Sequence, residues 1–222
     1  MKQRKALVAG GTGLVGGELI KHLLEDSSYS EVYALTRRLT GIVHPKLTET
    51  VIDFENLAKI NIAPVDDVFC ALGTTMKKAG SKEAFARVDY YYVVELAKAA
   101  KRCGGSQFLV VSSLMANPRS SNFYLRVKGE MEEAVKDKGP ETVLIFRPSN
   151  LVGERQESRP GEKIGQAVIQ FISPLLLGGF KKYRNINANT VASAMIATAR
   201  AELNTKRVFE SNGIAAFIGS SD

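Results

Sequence analysis

Cysteine is scarce in this sequence. Its 222 residues include only Cys70 and Cys103. The two cysteines have neither the spacing of a metal site nor the number that a disulfide framework needs. We therefore expect both to be free thiols in a reducing compartment, which argues against a secreted scaffold held together by disulfides.

Long apolar runs are also missing. The basic start, residues 1–5, is followed by an apolar run that is too short for a signal peptide. The longest apolar candidate, residues 168–180, is interrupted by a glutamine, a serine, a proline and two glycines. No stretch therefore approaches the roughly 20 apolar residues of a transmembrane helix. Together with the free thiols, these absences predict a cytoplasmic protein without a transmembrane segment.

The chain carries a formal net charge of +7 at pH 7. Nucleic acid is one partner that would explain this charge. The basic residues are scattered, however, and a phosphate-rich cofactor needs some of them, so we favour a protein that does not bind nucleic acid.

A glycine-rich stretch lies between an apolar run and an amphipathic segment, which is the pattern of strand, tight turn and helix. Gly10, Gly13 and Gly16 have the spacing of a dinucleotide-binding turn, in which phosphates sit at the helix N-terminus. Glycines also mark ordinary turns, but their position at the first strand–helix junction favours the cofactor. The predicted contacts are Gly10, Thr12, Gly13, Leu14, Val15 and Gly16.

The residues after the second strand indicate which dinucleotide is bound. No acidic residue lies between Ala34 and Glu49, so a ribose-binding carboxylate of the NAD type is missing. Arg37 and Arg38 are both available for the 2′-phosphate of NADP, although they also fit a solvated loop. Asp53, which precedes Phe54, could contact the adenine or cap a short helix.

Strands alternate with helices along the chain, which predicts right-handed crossovers and a parallel sheet. We expect an α/β fold, a Rossmann-type doubly wound parallel sheet with helices on both faces, in one domain over residues 1–222. Residues 153–190 would form a small C-terminal substrate or lid region. The predicted strands are 6–9, 31–35, 50–54, 65–72, 108–113 and 141–146, with an edge strand at 207–209, and the longest predicted helix is 81–102.

A candidate catalytic group lies between the fifth and sixth strands. Tyr124 and Lys128 are four residues apart and share one face of a helix. The ammonium would favour the phenolate form, so Tyr124 could act as a general acid and base. Ser112 and Ser113, at the end of the preceding strand, could bind the reacting oxygen. The strand ending at Ala71, Leu72, Gly73 and Thr74 would border the same crevice.

These features together resemble the short-chain dehydrogenase/reductase superfamily. The resemblance narrows to the Tat-interacting-protein branch of its atypical members, on the segments 70–75, 120–125, 127–130 and, most specifically, 155–162. It implies an NADP(H) cofactor, catalysis by Ser113, Tyr124 and Lys128, and contacts to the cofactor from Tyr124, Lys128, Pro148 and Leu151. Ser113 is preferred because the second serine of such a pair usually holds the catalytic place.

The resemblance leaves two kinds of function open. The first is an NADP(H)-dependent oxidoreductase acting on a small carbonyl or alcohol. The second is an NADP(H)-binding redox sensor with little turnover that acts through a protein partner. The complete serine, tyrosine and lysine set favours the enzyme. Arg155 and Arg159 could bind an anionic substrate group or brace their own loop, and the protein could be a monomer or a homodimer.

Overall fold

A single parallel sheet organises the molecule. The computed structural model describes residues 3–152 and 185–219. Seven strands lie side by side in the order β3 (Leu47–Val51), β2 (Tyr29–Thr36), β1 (Arg4–Ala9), β4 (Asp67–Cys70), β5 (Gln107–Val111), β6 (Thr142–Arg147) and β9 (Lys206–Glu210). Every neighbouring pair is parallel. The order changes direction between β1 and β4, and parallel sheets of this kind bind ligands outside the carboxyl ends of the strands at that point. The predicted doubly wound fold is confirmed.

The strands are β1 (Arg4–Ala9), β2 (Tyr29–Thr36), β3 (Leu47–Val51), β4 (Asp67–Cys70), β5 (Gln107–Val111), β6 (Thr142–Arg147), β7 (Leu151–Val152), β8 (Ile186–Asn187) and β9 (Lys206–Glu210). The α-helices are α1 (Leu14–Glu25), α2 (Met76–Ala79), α3 (Lys82–Ala86), α4 (Tyr92–Arg102), α5 (Phe123–Lys138), α6 (Ala188–Arg200) and α7 (Ser211–Gly219). A 3-10 helix covers Phe54–Lys59 and a π-helical segment covers Arg87–Tyr91. Strands β7 and β8 form a separate two-stranded sheet.

Helices cover both faces of the sheet because side chains alternate along each strand. In β1, Ala6 and Val8 pack on the face covered by α1 and α6. Leu7 and Ala9 pack on the opposite face, which α4 and α5 cover. This alternation gives the two cores that a doubly wound sheet requires.

Two predicted elements differ from the structure. The third strand is Leu47–Val51 rather than 50–54, because Asp53 instead caps the 3-10 helix by accepting the backbone N–H of Glu55 at 3.1 Å. The long helix predicted at 81–102 contains the π-helical segment Arg87–Tyr91. A π turn holds more residues than an α turn, so the buried face after it is shifted along the sequence.

The C-terminal part of the chain is described only in part. Of the predicted substrate region, residues 153–184 lie outside the described residues. Ala188, by contrast, begins α6, which packs against α1 in the core. In the described ranges, no helix combines the length and apolar character that crossing a membrane requires.

Candidate functional site

The glycine turn between β1 and α1 lies at the carboxyl end of the sheet. Gly10 has φ of +93°, a conformation that side chains disfavour, and a Cβ there would lie 2.6 Å from the carbonyl oxygen of Ala71. A Cβ on Gly16 would lie 2.1 Å from the carbonyl oxygen of Gly10. Both positions therefore require glycine, which lets β1, α1 and the end of β4 approach one another closely.

Gly16→Ala is expected to lower the free energy of unfolding by about 1–3 kcal/mol, because the methyl group must push the backbone of Gly10 away. The matched control is Gly17→Ala, whose Cβ would lie 3.5 Å from the Gly11 carbonyl oxygen, an ordinary contact. Removing a glycine inside helix α1 should instead stabilise the control slightly. Urea denaturation compares the two variants, and equal stabilities would contradict the steric argument.

The N-terminus of α1 faces this turn. Gly13 is its N-cap, no side chain in the described part of the chain caps the helix, and the first turn holds no acidic residue. The amides of Leu14, Val15 and Gly16 therefore lie where an anion can accept hydrogen bonds.

The end of β2 lies beside the same turn. Arg37 and Arg38 are both exposed, and Arg37 makes no hydrogen bond or ion pair with the described residues. Thr36 is 2% exposed, and its hydroxyl has no hydrogen-bond partner among the described residues. A Cβ on Gly11 would lie 3.7 Å from the methyl group of Thr36, so this hydroxyl-bearing side chain packs against the glycine turn.

Asp53 and Phe54 follow β3. The Asp53 carboxylate is exposed and caps the 3-10 helix. The Phe54 side chain is 5% exposed and its ring centroid lies 5.8 Å from that of Tyr92. A cofactor could therefore meet Phe54 through its backbone, since the side chain belongs to the core.

The end of β4 meets the helical segment that follows it. The backbone N–H of Thr74 donates to Oδ2 of Asp89 at 2.8 Å. A Cβ on Gly73 would lie 3.3 Å from Oδ1 of Asp89 and 3.8 Å from Nζ of Lys128. Gly73 therefore lies beside the predicted catalytic lysine, and Thr74 is bonded to the carboxylate that pairs with that lysine.

A cavity of about 350 Å³ opens at the carboxyl ends of β5 and β6. Ser113 and Tyr124 both line it, and so do Leu114, Met115, Pro148, Ser149 and Asn150. The ring of Tyr124 is supported by Phe85, with 5.4 Å between the ring centroids. The structure thus brings the predicted serine and tyrosine to one cavity, and the described residues that line it carry no charge.

Lys128 lies one helical turn beyond Tyr124 and is almost completely buried. Its Nζ lies 2.7 Å from Oδ1 of Asp89, and the two side chains are 5% and 1% exposed. Burial lowers the pKa of Lys128, but the charges of Asp89 and Tyr124 outweigh this effect and the net pKa is raised. Lys128 is therefore a cation that forms a buried ion pair with Asp89.

Ser112 points away from the cavity into a second buried network. Its hydroxyl donates to Oε1 of Glu132 at 2.5 Å, and the Arg147 guanidinium contacts both carboxylate oxygens at 2.9 and 2.5 Å. Glu132 stands four residues after Lys128 and eight after Tyr124, so helix α5 holds all three in one stripe. This network fixes the end of β5, where Ser113 follows.

The remaining predicted residues lie farther along the chain. The carbonyl oxygen of Pro148 accepts the N–H of Leu114 at 3.0 Å, which places Pro148 beside Ser113. Leu151 lies in β7 and pairs with Ile186 of β8. Arg155 and Arg159 lie outside the described residues.

The sequence analysis missed Asp89, Glu132 and Thr36. Asp89 stands four residues after the buried Phe85, and an acidic residue on an apolar helix face is a recognisable sign of a buried partner. Glu132 continues the Tyr124–Lys128 spacing of four, which is a similar sign. Thr36 differs in no visible way from other residues at strand ends.

Sequence comparisons identify relatives along most of the chain. A family described as NAD(P)H-binding matches residues 10–202. The chain is 38% identical over 169 residues to Protein HTATIP2 of Rattus norvegicus, covering 73% of this chain and 69% of that protein. It is 34% identical over 203 residues to the mitochondrial protein fmp52 of Aspergillus niger, covering 88% of this chain and 86% of that protein.

Solved structures share the fold at low identity. A UDP-N-acetylglucosamine 4-epimerase from Methanobrevibacter ruminantium M1 matches with a TM-score of 0.70 and 21% identity, covering 99% of this chain and 82% of that one. A human epimerase family protein, SDR39U1 isoform 2 with NADPH, matches with a TM-score of 0.61 and 16% identity, covering 89% and 70%. These similarities support the fold.

The cytoplasmic location predicted from the sequence is wrong on this comparison, because several fungal relatives are named mitochondrial. The physical reason is that free thiols indicate a reducing compartment without identifying which one.

Fold, family match and relatives agree with one another, and the chain therefore belongs to the NAD(P)H-binding family, among the atypical short-chain dehydrogenases/reductases related to HTATIP2 and FMP52.

Proposed function

We propose that the protein is an NADP(H)-dependent oxidoreductase that acts on a small carbonyl or alcohol. The observation that carries this proposal is that Ser113 and Tyr124 line one cavity, with Lys128 buried one turn further along α5. A hydroxyl, a phenol and an ammonium in this order are the groups that proton transfer to a carbonyl oxygen requires.

Each of the three side chains has a separate task. Tyr124 gives its phenolic proton to the carbonyl oxygen during reduction and takes it from the hydroxyl during oxidation. Ser113 donates a hydrogen bond to the same oxygen and so orients the substrate. Lys128 stabilises the phenolate form and would hold the nicotinamide ribose.

A bound NADP(H) would supply the hydride, and the residues around the glycine turn fit such a cofactor. A Cβ on Gly10 or Gly16 would collide with neighbouring backbone atoms, so the turn requires glycine at both positions. The backbone amides at the start of α1 have no side-chain cap among the described residues and suit a pyrophosphate. Gly73 lies beside Lys128 and Thr74 bonds to Asp89, so both residues would border the nicotinamide. Two structural neighbours are complexes with NAD+ and with NADPH, which supports a dinucleotide in this chain too.

Arg37→Glu is expected to weaken NADPH binding by about tenfold to a hundredfold, since a charged hydrogen bond is lost and a like charge is added. NADH binding should change little, because that cofactor has no 2′-phosphate. Fluorescence titration of both cofactors measures the effect. Arg38→Glu is the parallel variant, and equal losses for NADPH and NADH in both variants would contradict a 2′-phosphate site at this position.

Turnover separates the oxidoreductase from the redox sensor. We expect the purified protein to consume NADPH with at least one member of a panel of aldehydes, ketones and quinones, measured by the loss of NADPH absorbance. Tight NADPH binding without turnover across the panel would contradict the enzyme and favour the sensor that acts through a protein partner.

A further inference from the structure

Asp89 is a buried acid that contacts both the predicted catalytic lysine and the loop after β4. We propose that Asp89 is a positioning residue, whose single carboxylate fixes Lys128 and Thr74 and neutralises the charge of Lys128 beside Tyr124. This inference rests on the proposed function, because the role of Asp89 is defined by the proton transfer assigned to Tyr124.

The two oxygens of Asp89 have different partners. Oδ1 lies 2.7 Å from Nζ of Lys128, and Oδ2 accepts the N–H of Thr74 at 2.8 Å. Both partners are donors, so a side chain at this position needs two acceptor atoms. An asparagine has one acceptor oxygen and an NH2 group with two donor hydrogens, so its nitrogen would face one of these two donors. The carboxylate is therefore specifically required.

Asp89 lies within the π-helical segment Arg87–Tyr91. Asp89 is 1% exposed in this segment, whereas its neighbour Tyr91 is 60% exposed. Asp89 lies on the buried side of the helix between Phe85 and Val93, each of which is four residues away. Segments of this kind occur frequently at functional sites.

The charges around Tyr124 follow from this pair. Among the described residues, the titratable groups that act on Lys128 are Asp89 and Cys70 from neighbouring elements and Tyr124 from its own helix. Burial raises the pKa of Cys70 to about 12, so the thiol is uncharged at neutral pH. The net charge beside the phenol is therefore that of a neutral Lys128–Asp89 pair. Removing the Asp89 carboxylate leaves the positive charge of Lys128 unbalanced beside Tyr124. The remaining groups should then release their protons at lower pH.

Titration of the Tyr124 phenol tests the proposal without any knowledge of the substrate. The full chain is labelled at the tyrosine Cζ, NMR follows the signals against pH, and Tyr124→Phe identifies the signal of interest. Asp89→Asn should lower the midpoint of that signal by about one pH unit or more, as removal of a nearby like charge does. The matched control is Asp137→Asn, which removes an exposed carboxylate from α5, the helix that carries Tyr124, and should leave the midpoint of the Tyr124 signal unchanged.

A second variant covers the case in which Asp89→Asn fails to fold because Lys128 is left unpaired. Asp89→Asn combined with Lys128→Met removes both charges, so it should restore folding and return the midpoint towards the wild-type value. An unchanged or raised midpoint in Asp89→Asn, or additive destabilisation in the double variant, would overturn the role of Asp89. Absence of turnover by the wild-type protein would contradict the proposed function but not the role of Asp89, since the titration does not depend on turnover.

Discussion

Tyr124→Phe is expected to lower kcat by about 10²–10⁴-fold, the usual contribution of a general acid and base. The variant loses one oxygen atom and keeps the ring, which packs against Phe85 at 5.4 Å between centroids. Folding and NADPH affinity should therefore stay close to those of the wild type. Steady-state turnover measures the first quantity, and thermal denaturation with cofactor titration measures the others.

Tyr91→Phe is the matched control for this substitution. Tyr91 is 60% exposed, and its ring packs edge to face against Tyr90 outside the cavity. The same chemical change at that position should leave kcat unaltered. Near wild-type turnover in Tyr124→Phe would show that another group donates the proton, and a matching loss in Tyr91→Phe would point to a general effect of losing a hydroxyl.

The architecture could be predicted because periodicity reports directly on burial. In β6, Leu144 and Phe146 pack on one face of the sheet, whereas Val143 and Ile145 pack on the other. A continuous apolar run therefore indicates a strand buried on both faces. Edge strands lack this property: all of β3 is exposed or half-buried, and its sequence contains only two apolar residues. The third strand was placed too late in the chain for this reason.

The candidate site could be predicted only as far as residue types and spacing allow. Tyr124 and Lys128 share a helix face wherever that helix lies, so their proximity follows from the sequence. The orientation of a serine pair does not, because it depends on the partner that Ser112 finds in Glu132. The burial of Asp89 follows from its spacing of four after Phe85, but its partners Lys128 and Thr74 lie in other elements and become neighbours only in the folded protein.

Asp67→Ala is expected to lower the free energy of unfolding by about 3–5 kcal/mol, the usual effect of breaking a buried ion pair. Asp67 is fully buried at the start of β4, at the amino end of the strands, whereas the cavity lies at their carboxyl end. It accepts two hydrogen bonds from Arg4 at 2.7 Å, one from Tyr29 at 2.8 Å and one from Gln107 at 3.0 Å. Gln107 also donates to the carbonyl oxygen of Ala199 at 2.8 Å, which links the sheet to α6.

The burial of Asp67 explains why this loss of stability should be large. Burial raises the pKa of Asp67, and the contacts from Arg4 and Tyr29 counter that effect. Without the carboxylate, Tyr29 and Gln107 lose a buried acceptor, and Arg4, whose side chain is largely removed from water, loses its buried carboxylate partner. Glu202 also pairs with Arg4, but its side chain is 63% exposed.

Glu202→Ala is therefore the matched control, with an expected loss below about 1 kcal/mol, as for other exposed ion pairs. Urea denaturation of the two variants compares a buried and an exposed partner of the same guanidinium. Similar losses would contradict the argument from burial. A large loss for Asp67→Ala with unchanged NADPH affinity in the folded fraction would show that the amino end of the sheet stabilises the fold separately from the ligand-binding edge.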